Sequence, residues 1–96
     1  NGKLQEQEGP AVAREMLIRI GGYSERQIER ICWLVGHHHT YHVCEDLDYQ
    51  ILIEADCLVN LYEDNESPHA IRAVRKNIFR TGSGTKMLET MFGINE

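Results

Sequence analysis

The sequence predicts an all-α protein of about five helices. Apolar residues recur every three or four positions over most of the 96 residues, as they do on the buried face of a helix. Residues that start and stop helices separate these runs, and no run alternates apolar and polar residues as a half-buried strand does. The apolar content of 42% is typical of an ordered globular protein. We therefore expect a helical array with short connections.

The first two predicted helices have clear boundary signals. The first opens at Gly9-Pro10, because proline is favoured in the first turn of a helix, and it ends at Gly21-Gly22. The second starts where Ser24 and Gln27 fit a capping box. Apolar residues at helical spacing predict the inner faces of both helices: Val12, Ala13, Met16, Leu17 and Ile20 in the first, and Ile28, Ile31, Cys32, Leu34 and Val35 in the second.

Three further helices are predicted in the second half of the chain. One starts near Asp46 and is followed by another that begins at Ser67-Pro68. Gly82-Ser83-Gly84 is expected to break the helical pattern before a last short helix that ends at Gly93. The predicted buried side of the third helix consists of Leu47, Ile51, Leu52, Ala55, Leu58 and Val59.

Composition excludes several classes of protein. A net charge of −5 argues against general nucleic-acid binding. No uncharged stretch is long enough for a transmembrane helix and no signal peptide is visible, so a cytoplasmic location without membrane association is expected. The three cysteines are odd in number and lack a C-x-x-C pair, which argues against a disulfide framework or a thiolate zinc site.

A cluster of potential metal ligands is the strongest chemical signal. His37-His38-His39 ends the second predicted helix, and Asp56 is expected near the core edge of the third. Imidazole and carboxylate groups together suit divalent transition metals. Consecutive helical residues point about 100° apart, so two neighbouring histidines share a site only where the helix ends. Glu54 is expected to face solvent or to support the site from outside.

A structural explanation of the same residues stays open. Histidines at the C-terminal end of a helix interact with its last carbonyl groups and its dipole. Asp56 would then pair with an arginine of the first helix, because a carboxylate at the core edge needs a partner.

The segment from Leu34 to Thr40, followed by Asp48 to Asp56, resembles the C-terminal half of HD-domain metal-dependent phosphohydrolases. The resemblance implies a partial HD-domain-like bundle of helices around one or two metals. It assigns Asp56 to the position of the final aspartate ligand. It also assigns His38 and His39 to the paired histidines that bind a second metal in binuclear members.

The same resemblance points to a further ligand on the first helix. The segment Gln5 to Pro10 is similar to a helix start where some nucleotide-cleaving members place a ligand, usually a histidine. Glu8 occupies that position in this chain. The implied cofactor is a divalent metal (Mn, Fe, Zn, Co, Ni or Mg), and the implied substrate is a nucleotide or another phosphorylated small molecule.

The chain departs from the family in one respect. It contains no His-Asp dipeptide, and no histidine precedes His37. Together with the Asn1-Gly2 start, this leads to the expectation that residues 1–96 are the C-terminal portion of a single HD-like domain from a bacterial phosphohydrolase. The fragment by itself would then be inactive. The alternative is a non-catalytic helical interaction module that self-associates into a homo-oligomer.

Two other motifs invite a phosphate-binding interpretation. A basic face on the fourth predicted helix could bind substrate phosphate, although a solvated helix face explains it more simply. Its members are Arg72, Arg75, Lys76 and Arg80. The run Gly82 to Lys86 lacks the spacing of a phosphate-binding loop, and a helix break followed by an N-cap accounts for it.

Overall fold

The computed structural model describes residues 2–40 and 43–94. It contains helices α1 (Gly2–Ile20), α2 (Glu25–His37), α3 (Leu47–Glu63), α4 (Pro68–Asn77) and α5 (Gly82–Phe92). Neither of the two described ranges includes a β-strand. For these residues, the prediction of an all-α protein with five helices is confirmed. In the same ranges, no helix combines the length and the apolar character that crossing a bilayer requires.

The helices belong to two compact units. The first unit, Asn1–Cys44, contains α1 and α2, and the second unit, Glu45–Glu96, contains α3, α4 and α5. In the first unit, Gly21 and Gly22 have φ values of 82° and 90°, which glycine adopts without steric cost. The predicted capping box of α2 is confirmed. Ser24 Oγ accepts the Gln27 N–H at 3.1 Å, and Gln27 Oε1 accepts the Ser24 N–H at 2.9 Å.

Helix α1 is longer than the sequence pattern predicts. It begins at Gly2 and not at Gly9-Pro10, so Pro10 lies inside the helix. The proline ring faces α2, where a Cβ added to Gly36 would lie only 3.2 Å from Pro10 Cγ. Cys32 Sγ donates to the Pro10 carbonyl at 3.3 Å. The prediction was wrong because the first turns of α1 contact α2 through polar and small residues, which carry no apolar periodicity.

The predicted inner face of α1 is also only partly right. Ala13 and Leu17 are half-buried, but Val12, Met16 and Ile20 are 56%, 54% and 69% exposed. The side of α1 that contacts α2 is lined instead by Gly9 and Pro10. Each helix has a glycine that makes room for a side chain of the other, since a Cβ added to Gly9 would lie 2.6 Å from Val35 Cγ1.

The second unit contains most of the fully buried residues of the described chain. The apolar ones are Tyr49, Ile53, Cys57, Leu58, Leu61, Ile71, Phe79, Leu88 and Ile94. Of the predicted buried side of α3, Leu58 is buried and Leu52 half-buried, whereas the other four residues are exposed. Helix α3 carries two apolar stripes of identical spacing, one from Leu47 and one from Tyr49. Only the stripe that starts at Tyr49 enters the core.

Glu54 lies in this core and is only 2% exposed, so the expectation that it faces solvent was wrong. Its Oε2 accepts the N–H groups of Arg80 at 2.8 Å and Thr81 at 2.9 Å. The Thr81 hydroxyl donates to Oε1 at 2.5 Å, and Gln50 Nε2 donates to Oε2 at 2.8 Å. Gln50 also donates to the Ile78 carbonyl at 2.8 Å. One carboxylate on α3 therefore fixes the link between α4 and α5.

The starts of α4 and α5 are capped by hydroxyl groups. Ser67 Oγ accepts the Ala70 N–H at 3.1 Å, as predicted for α4. Thr81 Oγ1 accepts the Gly84 N–H at 3.0 Å. Residues 82–84 form the first turn of α5, so the prediction that they break the helix was wrong. Gly84 is required there, since an added Cβ would lie 1.9 Å from Glu54 Oε1.

Replacement of Gly84 by alanine is expected to lower the free energy of unfolding by about 2–4 kcal/mol, because the new methyl group displaces the Glu54 carboxylate from its donors. Urea denaturation followed by circular dichroism measures the change. Gly82→Ala is the matched control, since an added Cβ there meets no atom within 4 Å. We expect it to change stability by less than about 1 kcal/mol. Equal effects of the two substitutions would contradict the packing described here.

Acid is expected to weaken the second unit through Glu54. Burial by itself raises the pKa of Glu54, but the hydrogen bonds from Thr81, Gln50 and the Arg80 N–H outweigh it and bring the pKa below its ordinary value. A depressed folded-state pKa contributes stability that is complete above the unfolded pKa of about 4.3 and is lost as the pH falls through the folded value.

The measurement is the free energy of unfolding between about pH 6 and pH 2. It should fall less steeply in Glu54→Gln than in the wild-type protein. Glu63→Gln is the control, because Glu63 is an exposed carboxylate on the same helix. An unchanged slope in Glu54→Gln would show that this carboxylate does not titrate as its contacts require.

Candidate metal centre

The three histidines lie at the point where α2 ends. His37 is the last residue of the helix and His38 is its C-cap. The Thr40 N–H donates to the His37 carbonyl at 3.0 Å and closes a turn. The second helix therefore delivers the histidines at its C-terminal end, as predicted, and the chain turns between them.

The His37 ring is engaged with its own helix. Its Nδ1 lies 2.6 Å from the Trp33 carbonyl, and the two rings stack with centroids 4.2 Å apart. The Arg30 guanidinium lies over the Trp33 ring, with Cζ 4.8 Å from the ring centroid. His37 thus extends a column of side chains along one face of α2.

His38 and His39 have ring nitrogens whose roles follow from their partners. His38 Nδ1 lies 2.8 Å from the Val35 carbonyl, and His39 Nε2 lies 2.6 Å from Gln5 Oε1. Both partner oxygens only accept hydrogen bonds, so in the neutral rings these nitrogens carry the protons. The lone pair is then on Nε2 in His38 and on Nδ1 in His39. Metal-binding histidines commonly have one ring N–H held by a carbonyl oxygen in this way.

The two rings also lie close to each other. Their centroids are 3.9 Å apart, and the planes are tilted by 45°. The His39 ring packs against the start of α1, where a Cβ added to Gly2 would lie 2.9 Å from His39 Cγ. Glycine at position 2 therefore leaves room for the imidazole.

Glu6 binds the turn that carries these histidines, and the sequence interpretation did not identify it. Its Oε2 accepts the His39 N–H at 2.8 Å, and both of its carboxylate oxygens lie 2.9 Å from the Thr40 hydroxyl. Partial burial raises the pKa of Glu6, but these two donors and the nearby imidazoles of His38 and His39 lower it below its ordinary value.

Glu8 is exposed, one turn along α1 from Gln5. Together with His38 it lines a hollow in the first unit of about 440 Å³. The other lining residues are mostly apolar: Leu4, Gln5, Gly9, Val12, Ala13, Met16 and Val35. Glu8 and His38 therefore border the same space, and the ligand role of Glu8 stays a prediction.

Asp56 belongs to the second unit. It is half-buried on α3, and its Oδ2 accepts a hydrogen bond from Asn60 Nδ2 at 3.0 Å. Its neighbour Glu54 enters the core, so the two carboxylates of the Glu-Ala-Asp segment have different environments. The ligand role of Asp56 stays a prediction.

The basic residues of α4 and the glycine-containing start of α5 were the two motifs considered for phosphate binding. Arg75 on α4 forms an ion pair with Glu89 on α5, with Nε 2.9 Å from Oε2. Arg72 and Lys76 are exposed, as a solvated face requires. At the start of α5, the N–H and the hydroxyl of Thr81 donate hydrogen bonds to the Glu54 carboxylate of the same unit.

No protein-family model, no curated protein and no solved structure matches this chain.

The hydrogen bonds predict different tautomers for neighbouring histidines. In the neutral state, His38 should carry its proton on Nδ1 and His39 on Nε2, because each of these nitrogens faces an acceptor. Long-range proton–nitrogen correlation spectra of ¹⁵N-labelled protein distinguish the two tautomers. His69, which is exposed on α4, provides an internal reference. Identical tautomers at His38 and His39 would contradict the described contacts.

Proposed function

We propose that this chain provides metal ligands to a metal-dependent phosphohydrolase of the HD-domain kind, which acts on a nucleotide or another phosphoester. His38 and His39 are assigned to one metal, Asp56 to the other, and Glu8 is the weakest assignment. The observation that supports the proposal best is the orientation of the paired imidazoles. A backbone carbonyl and an amide oxygen accept the N–H of one nitrogen in each ring, so the lone pair that a metal would use is on the other nitrogen.

The donor atoms suit the proposed cofactor. Two imidazoles combined with carboxylates are compatible with Mn²⁺, Fe²⁺, Co²⁺, Ni²⁺ or Zn²⁺, and Mg²⁺ would depend more on the carboxylates. When bound, a divalent metal in such a site supplies activation of a water molecule and neutralisation of phosphate charge. The residues of this chain contribute by fixing ring orientation through Val35 and Gln5.

These 96 residues supply only part of the metal ligands that an HD-type phosphohydrolase needs. The His-Asp doublet of the HD family is absent from them, so the ligand set that they supply is incomplete. By themselves they are expected to hydrolyse phosphoesters slowly or not at all. Metal binding is therefore a more direct test than turnover.

The second candidate function is a helical interaction module that self-associates. It is favoured by the apolar side chains that α1 exposes, among them Val12, Met16 and Ile20. A contiguous apolar helix face is commonly an association surface. The two candidates make opposite predictions for metal binding.

Substitution of His38 by alanine is expected to weaken Co²⁺ binding by at least about tenfold, because it removes one of the two imidazole ligands. Isothermal titration calorimetry of the full 96-residue chain with Co²⁺ measures the affinity. His69→Ala is the matched control, since His69 is an exposed histidine far along the sequence on α4. We expect its affinity to equal that of the wild-type protein.

Two results would oppose the metal proposal. One is a folded wild-type chain that binds none of Co²⁺, Mn²⁺ and Zn²⁺, which would favour the interaction module. The other is equal loss of affinity in His38→Ala and His69→Ala, which would indicate non-specific binding to surface histidines. Circular dichroism of each variant establishes that the chain is folded.

A further inference from the structure

In the first unit, the Glu6 carboxylate binds the turn that follows α2, residues 38–40, which we call the histidine turn. Its hydrogen-bond donors there are a backbone N–H and a hydroxyl group. Glu6 accepts the His39 N–H at 2.8 Å and the Thr40 hydroxyl at 2.9 Å. Glu6 and this turn are separated by 33 and 34 residues in the sequence, so the contact is tertiary. It connects the second turn of α1 to the residues that follow His38 at the C-terminal end of α2.

We propose that Glu6 is a positioning residue, which sets the metal affinity of His38 and His39 by fixing the backbone of their turn. This inference rests on the proposed metal-binding function. It adds a residue that the family resemblance does not identify, since the resemblance points to Glu8 on the same helix. Glu6 acts through the peptide chain, and the metal is bound by other residues.

Three observations carry the inference. First, His38 lies beyond the last residue of α2, so the helix does not by itself determine the backbone between His38 and Thr40. Second, Glu6 accepts hydrogen bonds from the backbone N–H of His39 and from the side-chain hydroxyl of Thr40, so it binds two consecutive residues of the turn. Third, the adjacent Gln5 binds the His39 ring at 2.6 Å, so consecutive residues of α1 orient the ring and the backbone of one histidine.

The burial of Glu6 agrees with this role. Glu6 is half-buried, whereas Gln7 and Glu8 beside it are exposed. The Glu6 carboxylate accepts from two donors, the His39 N–H and the Thr40 hydroxyl, which occupy about half of the roughly four acceptor positions of a carboxylate. Removal of a residue that orients a metal ligand typically lowers the metal affinity tenfold to a hundredfold, although that residue does not contact the metal.

The experiment compares three variants of the full chain by Co²⁺ calorimetry and by the visible absorption spectrum of bound Co²⁺. Glu6→Ala removes both hydrogen bonds, and Glu6→Gln keeps an amide oxygen that can accept the His39 N–H. Glu15→Ala is the matched control, because it removes the same charge from an exposed position on α1. Amide hydrogen exchange at His39 without metal provides a separate measure of how firmly the turn is held.

We expect Glu6→Ala to weaken Co²⁺ binding by about tenfold or more and to alter the spectrum at saturation, since the imidazoles no longer share a fixed orientation. His39 amide exchange should accelerate in the same variant. Glu6→Gln should recover a substantial part of the affinity, which would show that the hydrogen bond matters more than the charge. Glu15→Ala should stay within about twofold of the wild-type affinity, as expected for an exposed carboxylate.

Contrary outcomes distinguish this inference from the proposed function. If His38→Ala loses affinity while Glu6→Ala matches Glu15→Ala, the metal site stands and the positioning role of Glu6 is overturned. Failure of Glu6→Gln to recover any affinity would also overturn it, because charge alone would then explain the loss. If the folded wild-type chain binds no Co²⁺, the proposed metal site fails and this inference fails with it.

Discussion

A carboxylate removed from water must be surrounded by hydrogen-bond donors, and the second unit is organised around this requirement. Glu54 obtains its donors from Gln50 on its own helix and from the chain between α4 and α5. The link between these helices therefore has to pass close to α3, and α5 has to begin where it does. The absence of a side chain at Gly84 follows from the same requirement.

The first unit uses a glutamate in a related way. Glu6 binds the end of α2, as Glu54 binds the approach to α5, and in both cases a backbone N–H donates to the carboxylate. The difference lies in exposure, because Glu54 is fully buried and Glu6 only partly so. Hydrogen bonds to a charged group contribute about 1.5–3 kcal/mol each when they are shielded from water. Glu54 should accordingly matter mainly for stability, and Glu6 for local geometry.

The parts of the fold that sequence could predict are those set by local chemistry. The capping box at Ser24 and the Ser67 cap depend on residues within one turn, and both are present. The number and type of elements follow from helical periodicity in the same way. The inner face of α3 could not be predicted, because two stripes of equal spacing compete and only tertiary packing selects the one from Tyr49.

The candidate site shows the same division. The ending of α2 at the histidines was predictable from the sequence, whereas the contribution of Glu6 was not. The side of α1 that meets α2 includes Gly2, Gln5, Glu6 and Gly9, which recur at helical spacing but are small or polar. A search for apolar periodicity passes over such a face. Small residues that leave room for side chains of the facing helix, combined with polar residues, are the signal that predicts such a face.

The column formed by Arg30, Trp33 and His37 has a practical consequence. Trp33 is the only tryptophan in the chain, and its ring stacks on the residue where α2 ends. Indole emission is sensitive to groups in direct contact with the ring, so the whole fluorescence signal from tryptophan originates beside the histidine turn. The protein thus contains an intrinsic optical reporter at the place where its chemistry is proposed, and no label has to be introduced to observe it.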